Sequence, residues 1–131
     1  MQNFDAKAVI ESNFSKFTGD LAKLIAINSK NAPAAGNAPF GEGVQLALET
    51  ALATAEEYGF KTTIDPQGYY GYAEIGEGSE LMGVLGHLDV VPADDVEAWD
   101  THPFELTEKD GILYGRGVID DKGPMFASMF A

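Results

Sequence analysis

The chain contains 131 residues, of which 45% are hydrophobic, and this is enough to bury one sizeable core in a single domain. Acidic residues number 21 and basic residues 8, so the formal charge of -13 argues against nucleic acid and anionic membrane surfaces as partners. Cysteine is absent, which excludes disulfides and thiolate metal ligands and favours a cytoplasmic location.

The first half of the chain predicts two amphipathic helices joined by a loop. Apolar residues recur every three or four positions from Ile10 to Leu24, which predicts a helix over residues 5–27. Residues 28–43 are rich in Asn, Ala, Pro and Gly and predict a surface loop. The same apolar spacing returns from Val44 to Tyr58, and Gly59 suits the end of this second helix. The sequence contains neither a signal-peptide pattern nor an uninterrupted apolar segment of membrane-spanning length.

Short β-prone segments follow the second helix. Residues 60–64, 69–75 and 81–86 predict three strands, and the last lacks alternation, as is typical of a strand covered on both faces. A hairpin is predicted with its turn at residues 109–111, and a further helix is predicted to begin near residues 120–124. The expected fold class is therefore α/β, with a mixed, mostly parallel sheet flanked by helices.

His87 and Asp89 interrupt the apolar character at the end of the predicted third strand. In an extended chain they project to one face, where each would need a hydrogen-bond partner, a metal ion or water. A lone histidine at such a position is more often hydrogen-bonded or solvated than a metal ligand. A carboxylate that accepts the second N–H of a metal-binding imidazole is common, however, and this role suits Asp89.

A second polar cluster lies in the segment GRGVIDDKGP, which begins at Gly115. Either Asp120 or Asp121 could cap the following helix, a role that needs no further chemistry. Both carboxylates cannot serve the same cap, and a nearby cation would relieve the repulsion between them. Gly115 and Gly117 permit unusual backbone angles or close approach just before this pair.

The two motifs together resemble the dinuclear zinc peptidases, a family that includes acetylornithine deacetylase, succinyl-diaminopimelate desuccinylase, carboxypeptidase G and carnosine dipeptidases. Its signatures are a His-x-Asp after an apolar strand and a later Gly-Arg-Gly-x-x-Asp-x-Lys-Gly. Here they are His87-Leu88-Asp89 and Gly115–Gly123. The intervening residues Trp99, Pro103 and Phe104 also resemble the family.

Two further segments resemble one branch of that family, the bacterial dipeptidase V or Xaa-His dipeptidases. These are residues 38–41, which read Ala-Pro-Phe-Gly, and residues 68–72, which read Gly-Tyr-Tyr-Gly-Tyr. The resemblance therefore implies a dipeptide substrate, with an N-acyl amino acid deacylase of the same family as the alternative.

The family resemblance also implies a metal centre and a mechanism. His87 would bind one of two zinc ions, which Mn²⁺ or Co²⁺ could replace, and Asp120 would bridge both. Asp89 would contribute to catalysis by orienting His87, and the peptide bond between Asp120 and Asp121 would be cis. The reaction would be metal-assisted hydrolysis with a glutamate as general base.

By the same resemblance, residues 1–131 are expected to be the N-terminal portion of one catalytic domain of the zinc exopeptidase type, without a lid or dimerisation domain. The general base and the remaining ligands would lie beyond residue 131. Two protein ligands are fewer than a catalytic zinc site uses, so the chain alone is expected to be inactive. Its exposed apolar faces would favour self-association.

An alternative of another class is a non-catalytic acidic module. Its loop over residues 89–100, DVVPADDVEAWD, would bind calcium or a protein partner, although it lacks the ligand pattern of an EF-hand. A solvated charged loop is the simpler interpretation. His102 is interpreted as a solvated loop side chain and is not assigned to the site.

Overall fold

Three helices and two β-hairpins follow one another along residues 4–131, the part of the chain that a computed structural model describes. The helices are α1 (Ala6–Ile25), α2 (Glu42–Glu57) and α3 (Lys122–Phe130). The strands are β1 (Lys61–Ile64), β2 (Gly71–Glu74), β3 (Thr107–Lys109) and β4 (Ile112–Tyr114), and a short 3-10 helix covers Val96–Ala98. The α/β class predicted from the sequence is confirmed.

Helix α1 is amphipathic, but its two halves lie in different surroundings. At its start the Asp5 carboxylate accepts the backbone N–H of Ala8 at 3.1 Å and caps the first turn. Leu21 and Leu24 are buried, whereas Ile10 on the same predicted stripe is 62% exposed. The C-terminal half of α1 therefore contributes to the core, and its last turn lies close to the candidate site.

Helix α2 packs against α1 and against the β1–β2 hairpin. Its inner face consists of small residues, among them Ala47, Ala51 and Ala55, and these allow close approach. Gly59 follows with a φ of +92°, which confirms the predicted helix end. In the hairpin, β1 and β2 are antiparallel.

Asp20 joins α1 to the end of α2. Its buried carboxylate accepts hydrogen bonds from Lys16 at 3.0 Å, from Lys23 at 2.8 Å and from the Tyr58 hydroxyl at 2.5 Å. Burial alone would raise the pKa of Asp20, but these hydrogen bonds outweigh it and hold the pKa well below its usual range. The same burial and the bond to Asp20 raise the pKa of Tyr58.

The core lies where α3 crosses the C-terminal half of α1. Phe126 of α3 is fully buried against Leu21, Leu24 and Ile25 of α1. Its ring also lies 5.5 Å from that of Phe17, in a cluster of aromatic side chains. This packing fixes α3, and with it the segment that precedes α3, against the end of α1.

The β3–β4 hairpin closes at Asp110 and Gly111, which have φ values of +53° and +75°. Two residues of positive φ are typical of the tight turn whose twist matches the paired strands. The predicted turn at residues 109–111 is therefore confirmed.

The strand predicted over residues 81–86 is wrong. Within residues 4–131 this segment forms no backbone ladder, and Leu85 is 99% exposed. A strand covered on both faces needs a hydrogen-bonded neighbour and a packed layer on each side, and the described residues provide neither here. For the same reason parallel pairing, which we expected to dominate, is limited within the described chain to the bridge between Lys30 and Val90.

None of the helices within residues 4–131 combines the length and the apolar character needed to cross a membrane.

Candidate metal centre

Both ring nitrogens of His87 contact carboxylates, and these come from different segments. Nε2 lies 3.0 Å from Oδ1 of Asp120, and Nδ1 lies 3.1 Å from Oδ1 of Asp89. Nδ1 is also 3.2 Å from the backbone carbonyl oxygen of Asp89. The structure therefore brings all three predicted site residues together, although 33 positions separate His87 from Asp120.

The surroundings of His87 determine its protonation. Burial acts to lower its pKa, but hydrogen bonds to the Asp89 backbone and the Asp120 carboxylate, with the charges of Asp89 and Asp121, raise the pKa overall. A neutral imidazole donates through one nitrogen alone, so both carboxylate contacts are hydrogen bonds when the ring is protonated. A cation at Nε2 would replace that proton while Nδ1 keeps its bond to Asp89.

Asp121 also belongs to the cluster, although the sequence did not assign it to the site. Although it lies at the N-cap position of α3, its side chain makes no capping hydrogen bond. Instead its Oδ2 accepts the backbone N–H of His87 at 3.1 Å. The capping role considered from the sequence is therefore wrong for Asp121, and the acidic pair was the available signal for its actual role.

The loop before α3 bends sharply to present the two carboxylates. The peptide bond between Asp120 and Asp121 is cis, as expected from the family resemblance. Gly117 has a φ of +90°, and a Cβ on Gly123 would lie 1.9 Å from the carbonyl oxygen of Val118. The loop therefore needs glycine at both positions, one for its backbone angle and the other for space.

Lys122 is the largest fully buried side chain in the described chain, and it lies directly after the acidic pair. Its ammonium group donates to the carbonyl oxygens of Leu24 and Ile27, each at 2.8 Å. Leu24 lies in the last turn of α1, and Ile27 lies two residues after α1 ends. Burial lowers the pKa of Lys122 to about 8.

Ser29 contacts the segment that carries His87 and Asp89. It is fully buried, and its hydroxyl donates to the carbonyl oxygen of Leu88 at 2.6 Å. Its own carbonyl oxygen accepts the N–H of Val90 at 3.1 Å. Sequence reasoning missed Ser29 because it lies in the predicted loop, 59 positions from its partner.

The arrangement of His87 and Asp120 fits two ligands of one metal ion. Nitrogen and oxygen donors about 2.0–2.2 Å from a tetrahedral zinc lie roughly 3.3 Å apart, and here they are 3.0 Å apart. The Asp120 side chain is 77% exposed, which leaves space for other ligands. Within residues 4–131 no set of three or more ligating side chains is grouped to hold an ion, so these residues would supply part of a centre.

The residues left outside the site by the sequence stay outside it. His102 is exposed, and its Nδ1 accepts the backbone N–H of Phe104 at 3.2 Å. In the acidic loop, Asp94 pairs with Lys30 at 3.1 Å across an exposed surface. Both contacts are exposed to solvent, as expected for a charged loop, although Lys30 and Asp94 lie 64 positions apart in sequence.

Comparison with known proteins agrees with this geometry. The model of peptidase family M20/M25/M40 matches residues 83–131, the segment that contains His87, Asp89 and Asp120. This segment is therefore similar to that family. The resemblance predicted from the two motifs is therefore confirmed.

The relatives extend the similarity over most of the chain. "Putative dipeptidase YtjP" of Bacillus subtilis is 42% identical over 114 residues, covering 86% of this chain and 24% of that protein. A "Putative dipeptidase" of Staphylococcus aureus strain USA300 is 38% identical over 127 residues, covering 95% of this chain and 26% of that protein. The chain thus spans about a quarter of the length of these relatives.

A solved structure gives the same result for the fold. The crystal structure of human carnosine dipeptidase 1 matches 94% of this chain and 28% of its own, with a TM-score of 0.72 and 31% sequence identity. The fold of most of this chain therefore also occurs in that longer protein.

Proposed function

We propose that the protein carrying this chain is a metal-dependent dipeptidase, and that His87 and Asp120 are two ligands of its metal centre. The observation that carries the proposal is the 3.0 Å separation between His87 Nε2 and Asp120 Oδ1, in a segment of the M20/M25/M40 peptidase family. The dipeptidase names of the relatives support the substrate class.

Each of the three residues has a distinct task in this proposal. His87 would bind through Nε2, and Asp89 would hold the proton on Nδ1 and so fix the ring orientation. Asp120 would hold the metal centre together with His87 through its carboxylate. A pair of zinc ions, or Mn²⁺ or Co²⁺ in their place, would lower the pKa of a bound water and polarise the scissile carbonyl.

The described residues would act as one wall of the active site. They would fix the orientation of an imidazole and a carboxylate before substrate binds, which reduces the reorganisation needed during hydrolysis. The general base and the other ligands belong, in this proposal, to the remainder of a full-length family member. A cytoplasmic location remains a prediction from the absence of cysteine.

Self-association also remains a prediction. It is based on exposed apolar side chains near the site, including Leu81, Met82, Leu85 and Ile119. Burial of these side chains against other parts of the same catalytic domain would also remove them from solvent, without self-association. The absence of nucleic acid and membrane partners is likewise a prediction, and it rests on the charge of -13.

The experiment compares metal-free and metal-loaded forms of the protein that carries this chain. After removal of metal with a chelator, Zn²⁺ or Mn²⁺ is expected to restore hydrolysis of a dipeptide panel that includes β-alanyl-histidine. The variants His87→Ala and Asp120→Asn should lose both metal and activity, whereas the matched variant His102→Ala should retain both.

The other outcomes are equally informative. Hydrolysis of N-acyl amino acids without hydrolysis of dipeptides would favour the deacylase alternative. Activity that is indifferent to metal would refute the assignment of His87 and Asp120 as ligands. Stable metal binding without hydrolysis of either substrate class would refute the enzyme proposal and favour the acidic cation-binding module.

A further inference from the structure

The segments that carry His87 and Asp120 are both tied to the end of α1. Lys122, two positions after Asp120, donates to the carbonyl oxygens of Leu24 and Ile27. Ser29 bonds to Leu88 through its hydroxyl and to Val90 through its backbone. The stretch from residue 24 to residue 29, which we term the α1 platform, therefore holds both halves of the cluster.

The contacts of the α1 platform flank the site residues closely. Leu88 and Val90 lie on either side of Asp89, so the two bonds from Ser29 fix the peptide that carries this carboxylate. On the other side, the bonds from Lys122 fix the first turn of α3 and the bend that presents Asp120. The Asp121 carboxylate then links the two halves through the N–H of His87.

The contacts of the α1 platform involve two buried side chains, whose positions are restricted. Lys122 and Ser29 are each fully buried. A buried ammonium group is costly unless it is hydrogen-bonded, so its position is restricted to where the two carbonyls lie. The end of a helix also favours a positive charge, because its last carbonyls lack helical partners. Both side chains are therefore held in place more firmly than exposed side chains at the site.

We infer that Lys122 and Ser29 are positioning residues of the metal centre, which act by holding His87 and Asp120 at ligand separation through the α1 platform. The inference deepens the proposed function and rests on it. Neither side chain touches the presumed ion or the substrate. Their loss would move the ligands apart while the helices keep their packing.

The test uses Lys122→Met and Ser29→Ala in the protein that carries this chain. Lys7→Met and Ser12→Ala are matched controls, because these exposed α1 residues undergo the same substitutions away from the site. Metal-free protein is titrated with Co²⁺ while its visible absorption is recorded. Both test variants should bind Co²⁺ about 10–100-fold more weakly with an altered spectrum, and both controls should match the parent protein.

Some outcomes would overturn the inference. Affinity and spectrum equal to those of the parent in Ser29→Ala would refute the role of Ser29, and the same result in Lys122→Met would refute that of Lys122. Should Lys122→Met fail to fold, Lys122→Gln, which keeps N–H donors on a shorter side chain, tests the role of Lys122 in the same titration, and Ser29→Ala still tests that of Ser29.

A second measurement separates this inference from the proposed function. If the parent protein binds no Co²⁺, the proposed metal centre fails. Hydrogen–deuterium exchange in metal-free protein then decides whether the α1 platform positions His87. The peptide covering residues 83–90 should exchange about tenfold faster in Ser29→Ala, as expected for roughly one lost hydrogen bond. Exchange of the peptide covering residues 61–74 should be the same in Ser29→Ala and in the parent protein. If the peptide covering residues 83–90 also exchanges at the parent rate in Ser29→Ala, the positioning role is refuted.

Discussion

Replacing Asp20 tests how α1 is held against α2, and the effect can be worked out from its three contacts. Lys16 and Lys23 have side chains that are 55% and 54% exposed, so each ion pair contributes about 0.2–1 kcal/mol. The hydrogen bond from Tyr58 to the buried carboxylate contributes more, about 1.5–3 kcal/mol. Asp20→Asn keeps an acceptor for Tyr58 and should cost about 1–2 kcal/mol, whereas Asp20→Ala should cost about 2–4 kcal/mol.

The dependence on pH distinguishes this network from simple packing. The ordinary pKa of Asp20 is 3.8, and the folded protein lowers it. Between the pKa of Asp20 in the folded protein and its pKa in the unfolded protein, the unfolded state binds more protons than the folded state. The stabilisation is therefore present above about pH 4 and is lost as the pH falls. The difference between the parent protein and Asp20→Asn should therefore be largest near pH 7 and should shrink below pH 4.

The assay is the free energy of unfolding, measured by denaturant titration between pH 7 and pH 2.5. Glu11→Gln is the matched control, because Glu11 pairs with Lys7 on the exposed surface of the same helix. This control should cost less than about 0.5 kcal/mol. A difference between parent and Asp20→Asn that is independent of pH, or no difference at pH 7, would refute the reasoning.

Three further substitutions probe the site loop and the core. In Gly86→Ala a Cβ would lie 2.6 Å from Cγ of Met125 and 3.0 Å from Oδ2 of Asp121, so we expect faster amide exchange at residue 87 together with a lower melting temperature. In Gly123→Ala the Cβ would lie 1.9 Å from the carbonyl oxygen of Val118, so metal binding should be lost in a Co²⁺ titration. Phe126→Ala empties a fully buried position and should lower the free energy of unfolding by about 3–5 kcal/mol, as measured by denaturant titration.

Features that depend on neighbours in sequence were predictable, and this explains which elements were confirmed. The helices followed from apolar spacing, and the β3–β4 turn followed from Asp110 and Gly111. Residues 81–86 have the composition of a strand, but a strand depends on distant partners that sequence spacing does not reveal. The N-terminal half of the α1 stripe is exposed for the same reason, since its spacing predicts a helix without predicting what covers it.

The residues of the candidate site likewise divide into those that the sequence identified and those that it missed. His87, Asp89 and Asp120 were identified because their residue types are those of metal ligands and because they lie in two motifs. Ser29 and Lys122 act through bonds to the backbone of segments 59 and 95–98 positions away. A serine in a loop carries no signal of such a bond, and although Lys122 belongs to the second motif, its place there does not reveal its partners. Residues that position a site are therefore harder to predict than residues that form it.

The charges around His87 support the proposal that a cation binds at this location. Asp89, Asp120 and Asp121 surround one imidazole, in a chain whose formal charge is already -13. Their mutual repulsion opposes the close approach that the α1 platform and the packing of α3 impose. A proton on His87 offsets one negative charge, whereas a divalent ion offsets two and can contact two carboxylates at once. In the proposed metal centre, a cation bound between these negative groups would therefore make their proximity favourable.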